Sequence, residues 1–208
     1  MEYREGFEIR EGRRDDAPFL AETVMEAVGH ELCVGLAGGE GRLPLVRQLF
    51  EALAARDDSQ YSHRNSFVAV DARGEAVGAV IAYDGAELRR LRMAFAQEAN
   101  HFLGWNVTPE EAAKWEDEAD SGEIYIDSLY VRPEYRGKGL ASDLLKAVES
   151  RFGDKRKPLG LLVEPENGRA REVYGHWGFR EKGVSHFFRA PMLHMQKDVT
   201  PRALPRES

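Results

Sequence analysis

The most informative segment of the sequence is Tyr130-Val131-Arg132-Pro133-Glu134-Tyr135-Arg136-Gly137-Lys138-Gly139-Leu140-Ala141. It predicts a strand that ends at Val131, then a tight turn, then a helix. The start of a helix leaves backbone N–H groups without partners, and the helix dipole favours an anion there. Gly137 and Gly139 carry no Cβ atom that would hold an anion away from the backbone. The segment therefore indicates either an anion site or only a tight strand-to-helix turn.

Three cationic side chains lie in the same turn and would add donors around an anion: Arg132, Arg136 and Lys138. Two familiar phosphate loops do not match the segment. A Walker loop needs four residues between its first Gly and a Gly-Lys-Ser/Thr triplet, and the chain has no such pattern. A Rossmann loop needs a third Gly where Ser142 stands. The turn belongs to neither class.

The pattern of apolar residues on both sides of this turn predicts strands and helices around one sheet. The predicted strands are Phe7–Glu11, Ser66–Val70, Ala76–Tyr83, Glu123–Val131, Leu159–Val163 and Phe187–Met195. The predicted helices are Leu43–Ala55, Gly137–Arg151, Gly168–Trp177, and a helix through Val28 that Asp15 or Asp16 caps. A cluster of glycines predicts a flexible loop after that helix: Gly35, Gly38, Gly39 and Gly41.

Residues 84–121 are more irregular and acidic, and we expect them to form a partly helical insertion before the fourth strand. Thr108, Pro109 and Glu111 match a capping box, which predicts a helix from Thr108 to about Glu118. The carboxylates of this stretch either attract a cation or form a solvated face: Glu110, Glu111, Glu116, Asp117, Glu118 and Asp120. Its large aromatic residues either line a pocket or pack the insertion: Phe102, Trp105 and Trp115.

The 208-residue chain has a formal net charge of −7 and a single cysteine. We expect one domain over residues 1–196 and a flexible tail over 197–208. The acidic balance argues against a nucleic-acid partner. Cys33 cannot form a disulfide within the chain and is expected to be a small buried residue.

Targeting and metal motifs are not found in the sequence. The charged N-terminal residues have no apolar core of a signal peptide, and no run of about 18 apolar residues predicts a membrane span. We therefore expect a cytoplasmic protein without a membrane partner. His30-Glu31 is not followed by the second histidine of a zinc-protease motif, so we expect no metal.

Two motifs carry a resemblance to a known family. Arg136-x-x-Gly139-x-Ala141 resembles the Gln/Arg-x-x-Gly-x-Gly/Ala motif of the GNAT superfamily of N-acetyltransferases, and it follows the strand Ile124–Val131. Downstream, a second GNAT element is similar to Asn167-x-x-Ala170-x-x-x-Tyr174-x-x-x-Gly178-Phe179. The resemblance is tight over residues 123–180 and architectural over residues 7–83. It implies an α/β (α+β) fold, with a central mixed twisted sheet of six to seven strands flanked by helices.

The resemblance implies acetyl-CoA as the co-substrate, and it implies which residues would bind each part of it. Backbone amides of the turn would hold its pyrophosphate, and by position they belong to Val131, Arg136, Gly137, Lys138, Gly139, Leu140 and Ala141. The pantetheine arm would pair with the end of the strand, at Leu129, Tyr130 and Val131. Asn167 is a good N-cap, and it either only caps its helix or also contacts the cofactor.

Three residues are candidates for catalysis. Tyr174 either packs in the core or gives a proton to the leaving thiolate, as the family pattern implies. Glu123 stands where histone-type GNAT enzymes carry their glutamate base, although a charge at the strand edge explains it equally. Asp127 stands where aminoglycoside-type members carry an acidic residue that meets the amine. Strand alternation predicts that Glu123 and Asp127 share one face.

The implied reaction is direct acetyl transfer to a primary amine of a small molecule, a peptide or a protein. A backbone N–H near Leu129 would stabilise the oxyanion. Two alternatives remain open: a non-catalytic acyl-CoA-binding regulatory module, and a transferase that uses another acyl-CoA. The sequence does not distinguish between acceptors. Dimers are common in the family, so a homodimer is a further expectation.

Overall fold

The computed structural model describes residues 6–187 and 190–199. A seven-stranded mixed sheet has the order β1-β2-β3-β4-β5-β7-β6. Its strands are β1 (Phe7–Glu11), β2 (Ser66–Asp71), β3 (Ala76–Asp84), β4 (Ile124–Val131), β5 (Leu159–Val163), β6 (Arg180–Phe187) and β7 (Ala190–Lys197). The helices are α1 (Ala17–Val28), α2 (His30–Ala37), α3 (Leu43–Ala55), α4 (Leu88–Leu103), α5 (Pro109–Ala112), α6 (Leu140–Phe152) and α7 (Gly168–His176). The predicted fold class is confirmed.

The central strands are buried on both faces because alternate side chains enter two different cores. Val68 of β2 and Ile81 of β3 enter the first core, which also holds buried side chains of α1, α2, α3 and α4. Ala69 of β2 and Val80 of β3 enter the second core, which α6 covers. The sheet is therefore the middle layer of three.

A gap opens between β4 and β5. These parallel strands pair only at Ile124 with Leu159 and at Tyr125 with Gly160. From there β5 continues alongside β7, with which it pairs from Leu159 to Val163. The C-terminal half of β4 keeps its partner β3 on one side, so its other edge faces the gap.

The segment predicted to be a flexible loop contains helix α2 instead. Gly29 at φ +84° and Gly38 at φ +73° stand at its two ends, where the backbone needs the freedom of glycine. Cys33 and Leu36 are buried in the first core, and this burial holds the helix in place. The prediction for Cys33 is confirmed, and the prediction of a loop is wrong over α2, because Gly35 lies within the helix and Gly38 ends it.

The first helix starts differently from the prediction as well. Asp16 precedes α1 but makes no side-chain cap to it. Its carboxylate accepts hydrogen bonds from the Arg10 guanidinium, at 2.7 and 2.8 Å, and from the N–H of Arg13 at 2.7 Å. Asp16 therefore ties β1 to the start of α1 instead of capping the helix.

Helix α4 was not predicted. It has 16 residues, and its buried positions are at helical spacing: Leu88, Leu91, Phe95, Ala99 and Leu103. Arginines and polar residues between them give the stretch an irregular appearance. The capping box after it is confirmed, since the Glu111 N–H donates to Thr108 Oγ1 at 3.2 Å and the Thr108 N–H donates to Glu111 Oε2 at 2.9 Å.

Helix α5 ends at Ala112 and does not reach Glu118 as predicted. Arg92 of α4 donates to the carbonyl oxygens of Trp115 and Glu116, at 3.0 and 3.2 Å. Because a guanidinium takes these carbonyls, the chain after α5 folds around Arg92 and leaves the helix.

The predicted closing strand Phe187–Met195 is two strands. β6 and β7 form an antiparallel pair, and residues 188–189 between them lie outside the described residues. β6 was missed because most of its side chains are exposed and show no apolar pattern. Lys197, placed in the tail by the prediction, pairs with Leu159, whereas residues 200–208 of that tail lie outside the described part of the chain.

Candidate active site

The turn between β4 and α6 has the backbone that its glycines suggest. Gly137 lies at φ +74° and Gly139 at φ +78°, in the left-handed region that glycine adopts without strain. A Cβ atom added at Gly137 would meet no other atom within 4 Å. No other part of the protein therefore occupies the space next to Gly137.

Helix α6 begins at Leu140, not at Gly137 as predicted, and Gly139 is its N-cap residue. The Asp143 N–H donates to the Gly139 carbonyl at 3.1 Å, which starts the hydrogen-bond ladder of the helix. The N–H groups of its first residues precede that ladder and lie at the positive end of the dipole. This geometry fits a pyrophosphate on the turn.

The cationic side chains of the turn also hold it in shape. Arg136 Nε donates to the Val131 carbonyl at 2.9 Å, which closes the turn onto the end of β4. The guanidinium carbon of Arg136 lies 5.9 Å from the centroid of the Tyr130 ring. Lys138 Nζ lies 4.9 Å from the centroid of the Tyr135 ring. Arg136 and Lys138 therefore shape the turn as well as supplying positive charge.

The end of β4 lies along the gap. Leu129, Tyr130 and Val131 pair with β3 residues Val80, Ala79 and Gly78. Their other edge faces the gap, because the pairing with β5 ended at Tyr125. This open edge is the place where an extended chain can add as another strand.

The second motif lies on helix α7. Asn167 Oδ1 accepts a hydrogen bond from the Ala170 N–H at 3.1 Å, so the predicted cap is confirmed. Tyr174 is half-buried, with its ring centroid 5.7 Å from that of Trp177 and 5.8 Å from that of Phe179. Burial raises the pKa of the Tyr174 phenol, so it holds its proton at neutral pH. Both functions considered for Tyr174, packing and proton donation, are compatible with this environment.

Asp127 sits at an irregularity of β4. Ser128 pairs with Ile81 and Ile126 pairs with Ala82, so Asp127 is an extra residue in the strand. Its carboxylate accepts hydrogen bonds from the Tyr83 hydroxyl at 2.9 Å and from Ser128 Oγ at 3.0 Å. Burial raises the pKa of Asp127 to about 6, against the opposing effect of its hydrogen bonds.

Glu118 is a second carboxyl group with a raised pKa, and in the sequence it stands out only as one of the six carboxylates of the acidic stretch. Glu118 Oε2 lies 3.2 Å from Arg92 Nη2, and Glu118 Oε1 lies 3.4 Å from Gln60 Nε2. Burial raises the pKa of Glu118 to about 7, Arg92 opposes the rise, and the charge of Asp127 adds to it. Carboxyl groups with pKa values near neutrality are typical of proton-transfer sites.

Glu123 is not an exposed charge at a strand edge. Its side chain is fully buried, at 0% exposure. Its carboxylate accepts from the Asp120 N–H at 3.0 Å and from Gln196 Nε2 at 2.7 Å, and it lies 2.8 Å from His194 Nε2. Glu123 therefore links the start of β4 to β7 and has no surface open to an acceptor.

Substitution of Glu123 should damage stability more than catalysis. In Glu123→Ala the buried donors lose their acceptor and a cavity opens, so we expect the free energy of unfolding to fall by about 3–5 kcal/mol. Glu123→Gln keeps the volume and one acceptor and should retain most turnover per folded molecule. Denaturant unfolding and kcat of both variants test this. A Glu123→Gln protein of normal stability with turnover lowered more than about 100-fold would instead make Glu123 the base.

A cavity of about 590 Å³ opens over Glu118 and Gln60. Its aromatic lining comprises Tyr61, Phe95, Trp105, Trp115 and Phe187. The Phe95 ring contacts three of these rings edge to face, with centroid distances of 6.0 Å to Trp105, 6.2 Å to Trp115 and 6.3 Å to Tyr61. Trp105 and Trp115 thus both line a pocket and pack on the first core, whereas Phe102 only packs there.

The acidic stretch before β4 is divided between several roles. Glu116 and Glu118 line the cavity, while Glu110 is exposed. Asp117 pairs with Arg92 at 2.6 Å and with Arg89 at 2.8 Å. The cluster is thus not one solvated face.

A metal site and a membrane-spanning helix are both absent from residues 6–187 and 190–199. No group of three or more His, Cys, Asp or Glu side chains within these ranges is arranged to hold a metal ion. None of the helices within them has the length and apolar character needed to cross a membrane.

Residues 42–179 match the family model described as the acetyltransferase (GNAT) family. Together with the three-layer fold, the open edge of β4 and the glycine turn, this match defines an acyltransferase enzyme. The chain belongs to the GNAT acetyltransferase family, whose members use acetyl-CoA.

Individual relatives agree with this assignment. A thialysine N-epsilon-acetyltransferase from Bos taurus is 39% identical over 59 residues, which are 28% of this chain and 35% of that protein. The chain thus spans about a third of the length of this curated relative. The crystal structure of an N-acetyltransferase from Staphylococcus aureus Mu50 has a TM-score of 0.70 at 18% identity, covering 91% of this chain and 99% of that one. An aminoglycoside acetyltransferase solved with coenzyme A has a TM-score of 0.54 at 22% identity, covering 92% and 94%.

Proposed function

We propose that this protein transfers an acetyl group from acetyl-CoA directly to a primary amine. The observation that carries the proposal is the open edge of β4, with the glycine turn at its end and the bulged Asp127 within the same strand. The strand thus connects a place for an anionic cofactor with a carboxylate of raised pKa. An amine that reaches this strand would meet both.

On the donor side, the turn and the strand edge bind and orient the thioester. The amides of Val131 and of Arg136 through Ala141 hold the pyrophosphate, and Leu129–Val131 pair with the pantetheine arm. A backbone N–H near Leu129 donates to the carbonyl oxygen as negative charge develops on it. Asn167 positions α7 and the Tyr174 ring by capping the helix.

On the acceptor side, the carboxylates handle the amine and its proton. Acetyl-CoA supplies the activated acetyl group when bound. Asp127 accepts the proton that the nitrogen loses, directly or through water, and its raised pKa suits this role near neutral pH. Tyr174, which holds its proton at that pH, gives it to the departing sulfur. We assign Glu123 a structural role.

The proposal is tested in two stages on the purified protein. Calorimetry with acetyl-CoA should give a dissociation constant in the micromolar range, about −8 kcal/mol. Thiol release is then followed with arylalkylamines, polyamines, aminoglycosides, amino acids and peptides, and the product is verified by mass spectrometry. Acetyl-CoA binding without thiol release from any amine would replace the proposal with a non-catalytic acyl-CoA-binding module. Thiol release only from other acyl-CoA thioesters would show that the acyl donor is not acetyl-CoA.

A further inference from the structure

The cavity over Glu118 has an aromatic zone and a polar zone. Phe95, Trp105 and Trp115 form the continuous aromatic zone through their ring contacts. Glu118 and Gln60 form the polar zone with their amide–carboxylate contact at 3.4 Å. A ligand that fills both zones needs an apolar body and a polar head.

The charges around the cavity leave room for one positive head group. Its lining carboxylates, Glu116 and Glu118, are balanced by the lining cations Arg92 and Lys114. Asp127 adds a further carboxyl group close enough to raise the pKa of Glu118 by its charge. One ammonium would therefore relieve the repulsion between Asp127 and Glu118, whereas further cations would meet Arg92 and Lys114.

The environment of Gln60 favours a ligand that carries a hydrogen-bond donor. The side chain lines the cavity and is 4% exposed, and its Oε1 atom has no hydrogen-bond partner within residues 6–187 and 190–199. A buried acceptor without a partner is unfavourable, so a ligand N–H next to this carboxamide would be a gain. An ammonium supplies such N–H groups.

On the basis of the proposed function, we propose that the acceptor is a primary monoamine on an aromatic or bulky apolar body. Glu118 holds its ammonium, and Phe95, Trp105 and Trp115 enclose its body. In the transfer the nitrogen forms a bond to the acetyl carbon, and the carbon–sulfur bond breaks. The nitrogen loses one proton to Glu118 before it attacks and a second to Asp127 during the transfer, and the sulfur leaves as the thiol with a proton from Tyr174. One of the two protons then returns to Tyr174, and the other passes to solvent.

The dimensions agree with a small molecule. A cavity of about 590 Å³ lies within the range that typically encloses a compound of drug size. A polyamine would leave the aromatic rings without an apolar partner and would bring extra cations. A lysine side chain of a protein carries the single charge but not the bulky body.

Matched amines provide the direct test. We expect kcat/KM for 2-phenylethylamine to exceed that for ethylamine, which has the same head without the ring, by about 30-fold or more. 1,4-Diaminobutane should be no better than ethylamine. Preference for 1,4-diaminobutane, an aminoglycoside or a peptide amine would overturn this inference and leave acetyl transfer to amines intact.

Binding without acetyl-CoA separates this inference from the proposed function. Trp105 and Trp115 line the cavity, so 2-phenylethylamine should change the tryptophan fluorescence of the protein alone. Glu118→Gln should weaken this response, and lower kcat/KM for 2-phenylethylamine, by about 10-fold or more without changing the dissociation constant of acetyl-CoA. Glu110→Gln, on the exposed surface of the same stretch, is the matched control and should change neither quantity.

A variant of the aromatic zone tests the other half of the proposal. In Trp105→Ala, kcat/KM for 2-phenylethylamine should fall toward the value for ethylamine. Thermal unfolding shows whether each variant is folded, and Trp105→Phe keeps an aromatic ring if the alanine variant is not. Fluorescence that 2-phenylethylamine leaves unchanged in the wild-type protein, or an unchanged amine preference in the folded Trp105 variant, would overturn the proposal.

Discussion

Gly139→Glu should weaken acetyl-CoA binding by at least about 100-fold, which is roughly 3 kcal/mol of binding free energy. Gly139 stands directly before α6 at φ +78°, where a side chain strains the backbone. The new carboxylate would also lie at the positive end of the helix dipole and repel a pyrophosphate. Calorimetry with acetyl-CoA measures the loss.

Gly74→Glu is a matched control for this loss. Gly74 also has a left-handed backbone, at φ +81°, in the turn between β2 and β3, and a Cβ atom there would meet no other atom within 4 Å. The substitution introduces the same charge with a similar backbone strain, but away from the α6 turn. It should leave acetyl-CoA affinity unchanged. Equal losses in both variants would show that strain, not an anion site, explains the effect at Gly139.

The local backbone of the proposed donor side could be predicted because it is encoded locally. The turn, its glycines and the following helix are contiguous in sequence, and the left-handed backbone at Gly137 and Gly139 is a condition that glycine meets best. The Asn167 cap depends on a contact only three residues away. Short-range geometry of this kind follows from residue type and spacing.

The geometry of the proposed acceptor side could not be predicted because it is assembled from distant parts of the chain. Gln60 meets Glu118 from 58 residues away, and Tyr83 meets Asp127 from 44 residues away. The bulge at Asp127 shifts the face of every later residue in β4, and strand alternation contains no sign of it. A helix whose apolar positions are interrupted by arginines, α4, supplies Arg92 and Phe95 to the cavity.

The role of Glu123 also depends on distant parts of the chain, so the sequence pattern did not predict it. Its position in the family pattern favours a base, but its carboxylate is enclosed by the nearby Asp120 N–H and by the side chains of His194 and Gln196, which lie 71 and 73 residues away in the sequence. Only glycine fits at position 160 of β5, because the Glu123 carboxylate occupies the space of a side chain. A Cβ atom added to Gly160 would lie 1.8 Å from Glu123 Oε2. Burial, which depends on the strands on either side, decides the role of this residue, and single-sequence patterns do not report it.

Asp127→Asn should lower kcat by about 10²–10⁴-fold, the usual range for removal of an acid–base group. The dissociation constant of acetyl-CoA should not change, because the turn and the edge of β4 remain intact. An asparagine fits the same space and keeps one of the two side-chain oxygens, so it still accepts from the hydroxyl of Tyr83 or from that of Ser128. Asp15→Asn, which removes an exposed carboxylate, is the control and should leave kcat unchanged.

The same substitution should stabilise the fold at high pH. The pKa of Asp127 is raised from 3.8 to about 6, so its contribution to stability is present below pH 4 and is lost as the pH rises through 6. The asparagine variant does not undergo this loss. Its Tm should therefore match the wild type near pH 4 and exceed it by roughly 6–12 °C at pH 8, since a shift of about two pKa units is worth about 3 kcal/mol. A variant that is less stable at pH 8 would contradict the assignment of a strained, functional carboxylate.

The pH dependence of turnover tests whether the ionisation of Asp127 controls catalysis. Asp127 and Glu118, with pKa values raised to about 6 and about 7, interact, so kcat/KM should fall below this range with apparent pKa values that belong to the pair. Tyr83→Phe removes a hydrogen bond that lowers the pKa of Asp127. The acid limb of its profile should therefore move to higher pH, whereas Asp15→Asn should not move it. An acid limb that stays in place in Tyr83→Phe would show that Asp127 does not govern proton transfer, because its ionisation depends on that hydroxyl.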